Sequence, residues 1–214
     1  MSTQRSGLRE TEGVSTAESA VARLGSKPRS APIDASLDPL SAEDLAMVTQ
    51  LLGRQPKTAF DVVVRRPDGM PIVTRNAPFE RDGTPMPTRY WLLPSARAND
   101  AIGRLEAGGG VRAVEAEVDP EAIANAHKSY AHERSACIPN DWEGPRPSGG
   151  VGGTRTGTKC LHAHYAYFLA GGPDPVGRWV WDRLAPHQRD ELRDAPVAST
   201  VGPGPSTTEE LDTQ

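Results

Sequence analysis

The 214-residue sequence has little of what most folded chains use to hold themselves together. Aromatic residues make up 5% of it, hydrophobic residues 36%, and there are two cysteines, Cys137 and Cys160. Two cysteines cannot build a disulfide framework, and a reduced, cytoplasmic setting is the expectation. No run approaches the ~20 consecutive apolar residues of a membrane-spanning helix. The opening MSTQRSGLRETEG has no apolar stretch after its charges, so no secretory signal is expected either. A basic excess is also missing. Lys and Arg total 24 against 28 Asp and Glu, a formal net charge of -4, which speaks against a dedicated nucleic-acid binder.

What is present is unevenly distributed. Residues 1–40 and 195–214 carry Ser, Thr, Ala, Pro and charges with almost no large apolar groups. Such segments cannot bury enough surface to offset chain entropy, and both read as disordered tails. A transient helical turn over Ser15 to Leu24 is the one exception. The second tail is acidic, with Glu209, Glu210 and Asp212 and no base. A single domain over 41–194 remains, close to neutral and without internal repeats.

Its pattern predicts an α+β fold: a small antiparallel sheet of about three strands, then helices packed on one face. Ser41 with Asp44 three residues on is a capping-box-like start, and Gly53 is a stop. Phe60, Val62 and Val64 alternate, Pro67-Asp68-Gly69 supplies a turn, and Met70 to Thr74 returns as a second strand. A third strand is expected at Thr88 to Leu93. Helices are then expected over Ser95 to Ala107, Val111 to Val118, Pro120 to about Cys137 and Lys159 to Ala170. One or two more follow Asp174-Pro175. Asp119-Pro120 and Asp174-Pro175 are cap-and-proline starts.

Three groups of residues carry chemistry. Cys160 and His164 are four apart and would share a helix face, with His162 nearly opposite Cys160. Cys160, His164 and Cys137 are therefore candidate ligands for zinc, whose structural sites need four donors. The plainer reading is a buried thiol beside a hydrogen-bonded core histidine. Alternatively Cys160, near a helix start and beside Lys159, is a nucleophile with His162, His164 or His127 as its base. The Gly-rich 148–159 loop fails as a nucleotide-triphosphate loop, because Thr158 precedes Lys159 and Cys160 stands where Ser or Thr should be. A weaker anion site survives, from Arg155 and Lys159 with Arg134, His127 and Tyr130 on one face of the preceding helix. There the plain reading is a mobile loop, with Arg134 pairing an acid or capping carbonyls.

Five blocks in order, DGTPMPTRYWLL (82–93), RLEAGGGVR (104–112), AHKSYAHER (126–134), KCLHAH (159–164) and DPVG (174–177), carry a resemblance. The chain from about Arg54 to Leu184 resembles an uncharacterised, mainly actinobacterial family catalogued as domain of unknown function 501. The resemblance implies no activity. It departs from the family pattern at Arg66, where many members have Cys, and at Tyr167, where many have His. Three functions are therefore expected in competition. The first is a small cytoplasmic binding or regulatory protein with a phosphate-like anion pocket. The second is a Cys- or metal-dependent hydrolase or transferase. The third is an interaction scaffold for a cell-envelope or division partner, docking through its tails or through Trp179 and Trp181.

Overall fold

The computed structural model describes residues 31–189. The expectations for 1–30 and for 190–214 lie outside the described residues.

The first helix, α1, runs Ala42–Leu52. Ser41 stays extended and its hydroxyl accepts from the Asp44 N–H at 3.0 Å. Gly53 closes the helix in the left-handed region, at φ 64°, where a side chain would be strained. Both ends fall where the sequence puts them. Asp44 also receives both terminal nitrogens of Arg65, at 2.8 Å each, which ties α1 to the first strand.

Strands β1 (Thr58–Arg65), β2 (Pro71–Glu80) and β3 (Tyr90–Leu92) form one antiparallel sheet in the order β1-β2-β3. The β1-β2 turn closes with Arg66 N–H to the Met70 carbonyl and Gly69 N–H to the Arg66 carbonyl, both 2.9 Å. β2 continues six residues past the expected end at Thr74. Its later half contains Pro78 and crosses a register shift, since Thr58 faces Glu80 but Phe60 faces Asn76. A bulge is where a strand tolerates a proline. The Thr58 hydroxyl spans the irregularity by donating to the Phe79 carbonyl at 2.7 Å.

The remaining helices are α2 (Ala98–Ala107), α3 (Gly110–Glu117), α4 (Pro120–Ala136), α5 (Leu161–Leu169), α6 (Pro175–Arg183) and α7 (Pro186–Arg189), with a 3₁₀ turn at Val151–Gly153. Asp119 and Asp174 cap α4 and α6 with proline at the first turn, as expected. The architecture is α+β. The main core joins Val64, Ile72, Val73 and Leu92 of the sheet to Ile102, Val114, Ile123, Leu161, Tyr165 and Val180 of the helices. Burial of each such side chain contributes about 1.5–3 kcal/mol. A second, smaller cluster of Val48, Phe60 and Leu93 seats α1. No helix among the described residues is long and apolar enough to cross a membrane.

Residues 31–40 fall in the expected tail, and the structure gives them specific contacts. Asp34 makes a 2.9 Å ion pair with Arg89 between side chains that are 0% and 2% exposed. Ser36 donates its hydroxyl to Asp34 at 2.6 Å, and its carbonyl accepts from Arg75 at 2.8 Å.

Candidate functional site

The site begins with the way α5 starts. Lys159 and Cys160 were expected inside this helix. Cys160 is instead its extended N-cap, at φ -152° and ψ 119°, and its side chain makes no capping bond. The first N–H of the helix, that of Leu161, is satisfied from elsewhere: it donates to Glu106 Oε1 on α2 at 2.6 Å. A helix N-terminus attracts an acceptor, preferably an anionic one, and here a distant carboxylate supplies it. The extended N-cap moves Cys160 off the helical face it was expected to share with His164.

With Cys160 extended, its sulfur turns toward His162, 4.0 Å from Nδ1. The other oxygen of the same carboxylate, Glu106 Oε2, lies 3.2 Å from His162 Nδ1. His162 Nε2 donates to the Asn99 carbonyl at 3.1 Å. Asn99 and Glu106 are seven residues apart, two turns of α2, and therefore on one face. The imidazole is braced along that face. The Glu106 charge, the Asn99 carbonyl and above all the hydrogen bond with Cys160 push His162 up to about 9, against the opposite pull of burial. The point among these three groups therefore attracts positive charge. Among the described residues, Glu106, Cys160 and His162 are the one group of three such side chains whose ligand atoms all lie within 4.8 Å of one another.

Beside this group lies a cavity of about 390 Å³. Cys160, His162 and Lys159 line it together with Tyr90, Trp91 and Leu92. Its size and its mostly apolar wall with a few convergent polar groups are those of a small-molecule site.

The other expected site residues go elsewhere. His164 is fully buried and its Nδ1 contacts Asp174 at 2.8 and 3.0 Å. Cys137 caps α4 and contacts the Glu133 carbonyl and the Ser36 hydroxyl, at 3.4 Å each. Cys160, His164 and Cys137 thus do not converge, because α5 begins one residue after Cys160 and Cys137 closes another helix. Arg134 is 1% exposed and donates to the carbonyls of Pro87, Pro147 and Gly149. This is the carbonyl-capping alternative weighed for it in the sequence. His127 accepts from the Val151 N–H at Nδ1 (3.0 Å) and donates from Nε2 to the Gly157 carbonyl (2.8 Å). Burial lowers its proton affinity, in keeping with a neutral ring held between two loop positions. The fit is close: a Cβ on Gly150 would lie 2.4 Å from the His127 Cβ. The Tyr130 hydroxyl accepts from the N–H groups of Arg89 and Tyr90, fixing the start of β3 to α4. Arg155 is exposed. The Thr158 N–H, one of the donors the Gly-rich loop offers an anion, is held by Glu115 at 2.6 Å. Of the residues expected to bind an anion, Lys159 reaches the cavity.

A family model described as a protein of unknown function (DUF501) matches residues 62–182. The chain belongs to this family. No curated protein and no solved structure matches it. The DUF501 match runs from within β1 to within α6 and so contains Glu106, Cys160, His162 and the whole cavity wall, while α1 and residues 31–40 lie outside it. The departures from the DUF501 pattern noted in the sequence fall away from the three-residue group. Arg66 stands at the β1-β2 turn paired with Asp68, and Tyr167 stacks on Tyr90 at 5.4 Å.

Glu106 and Asn99 were not singled out in the sequence. Glu106 sits in RLEAGGG, where an acid on a helix face reads as solvated charge. Asn99 acts through its backbone, which no side-chain pattern reports.

Proposed function

We propose that the protein is a metal-dependent hydrolase or transferase, with zinc held by Glu106, Cys160 and His162 and substrate in the adjoining cavity. The observation that carries this reading is the convergence of one carboxylate, one thiol and one imidazole beside a cavity. Thiolate and imidazole are donors that suit zinc, and three protein ligands with one open position are the catalytic arrangement. Tetrahedral bonds of ordinary length put nitrogen and oxygen about 3.3 Å apart, and nitrogen and sulfur about 3.6 Å. The nitrogen–oxygen and nitrogen–sulfur separations here are 3.2 and 4.0 Å, each within a few tenths of an ångström of those values, and all three ligand atoms lie within 4.8 Å of one another. The outer contacts agree. His162 donates its remaining N–H to a backbone carbonyl, the usual way a ligating histidine is oriented. Glu106 is steadied by the Leu161 N–H. Zinc would supply a bound water of lowered pKa or polarise a substrate carbonyl or phosphoryl oxygen.

An anion-binding regulator draws less support, because Arg134 and the Thr158 N–H of the loop are already engaged. A scaffold docking through Trp179 also draws less, since that ring is 8% exposed and donates to Glu117.

The full-length protein is stripped with a chelator and titrated with zinc by calorimetry, and a cobalt(II)-loaded sample is read for a thiolate-to-metal charge-transfer band. One ion per chain and that band are expected. Cys160→Ala and His162→Ala should each weaken zinc by more than the roughly 10- to 100-fold that loss of an outer-shell partner costs. Hydrolysis of a panel of esters, amides and phosphoesters should fall with the chelator and return with zinc. A stripped, folded protein that takes up no zinc refutes the reading.

A further inference from the structure

The cavity wall and its one lysine indicate what the site takes. Tyr90 is fixed from several sides: its hydroxyl bonds Glu133, Tyr167 stacks on its ring at 5.4 Å, and Tyr130 packs edge-on at 6.0 Å. Leu92, Pro94 and Ala163 extend the apolar surface. Trp91, the next residue along β3, is 37% exposed. Among the described residues the only other large hydrophobics left exposed are Ile33 and Leu40, both before α1. An indole left in water at a cavity rim is surface available to a flat ligand. Lys159 is exposed at the same cavity and has no ion pair or hydrogen bond among the described residues. Arg89, next to Tyr90 in the chain, differs, being paired with Asp34 within the fold.

We propose that this cavity binds a flat apolar molecule carrying one carboxylate, its body against Leu92, Pro94 and Ala163 with Trp91 at the rim, and its charge on Lys159. The proposal rests on the metal-centre reading only in taking the cavity as the substrate side of that centre. Such a ligand would lie beside the Cys160–His162 edge while its charge is neutralised one residue along the chain. The carboxylate is then a recognition handle, separate from the bond that reacts.

Calorimetry with the full-length protein tests this with three probes: 1-naphthoate, its neutral analogue 1-naphthamide, and inorganic phosphate. Each is measured in chelator and again with zinc. Naphthoate is expected to bind about fivefold more tightly than naphthamide, the modest gain of a solvated ion pair. Lys159→Ala should abolish that preference in both conditions, and Trp91→Ala should weaken both aromatic probes. Circular dichroism checks that both variants are folded. Three results overturn the proposal: no binding of naphthoate; a preference that survives Lys159→Ala, which places the carboxylate on the ion or on His162; or phosphate competing as well as naphthoate. Zinc uptake is read in the same titrations. A site that binds zinc but not naphthoate overturns this inference alone. A site that binds naphthoate but no zinc overturns the metal reading alone.

Discussion

The two oxygens of Glu106 are engaged differently, and that allows its roles to be separated. Oε1 accepts the first N–H of α5, while Oε2 faces His162. Glu106→Gln keeps an acceptor for the helix and removes the charge; Glu106→Ala removes both. A lost cap costs about 1 kcal/mol. Urea denaturation of the metal-free protein should therefore show Glu106→Ala less stable by about that amount and Glu106→Gln much closer to wild type. Zinc affinity should fall in both. Equal stability of the two variants would show that Glu106 does not cap α5. This residue also marks where the site stopped being legible in the sequence. Cys160 and His162 stand two apart in KCLHAH, and their chemistry draws notice. Their partner stands 54 residues before Cys160, on another helix, and only the folded chain brings it near. The extended conformation of Cys160 has the same origin. Nothing local stops the helix at residue 160, because its cap comes from α2.

Where an element carries its own start and stop, the sequence was readable. Ser41, Asp119-Pro120 and Asp174-Pro175 each place an oxygen where orphan N–H groups need one, and α1, α4 and α6 begin there. The later half of β2 was not readable. Asn76, Ala77 and Pro78 are poor strand formers, and what holds them is cross-strand: Asn76 N–H to the Arg89 carbonyl and Thr58 to the Phe79 carbonyl. Asp174 shows how one cap can serve two elements. Its Oδ1 accepts from the N–H groups of Val176 and Gly177 at 2.9 Å each, and the same carboxylate meets His164 of α5, all in the interior. Asp174→Ala removes the cap and leaves His164 Nδ1 buried without a partner. The two losses together predict a cost of about 2–4 kcal/mol, read as a lower urea midpoint. Asp174→Asn keeps an oxygen for the cap and should recover part of it. A loss under about 1 kcal/mol in Asp174→Ala would mean that α5 and α6 are held by packing alone.

At the scale of the whole molecule, two carboxylates connect parts of the chain that are distant in sequence, and both respond to acid. The hydrogen bond from Arg65 is the main cause that holds Asp44 below its ordinary value, and that contact joins α1 to β1. Burial works to raise Asp34, but hydrogen bonds from Ser36 and Arg89 outweigh it and hold this carboxyl below the ordinary 3.8 as well. A group whose folded value lies below its unfolded value contributes stability that is present above the unfolded value. That stability is lost as pH falls through the folded one. The contribution of these two carboxylates to the urea midpoint should therefore hold steady from about pH 7 to pH 5 and decline below about pH 4, where carboxylates of the unfolded chain take up protons. Asp34→Asn cannot titrate at this position. It should be less stable than wild type at pH 7, because Arg89 keeps its burial and loses its ion, and its acid decline should be shallower. Hydrogen exchange at residues 31–38 gives the local readout: exchange in wild type should rise on acidification before that of β2, since Asp34 and Ser36 hold this segment to Arg89 and Arg75. A midpoint unchanged down to about pH 2.5, or an Asp34→Asn protein that loses as much stability in acid as wild type, would show that the Asp34–Arg89 pair does not hold this segment in place.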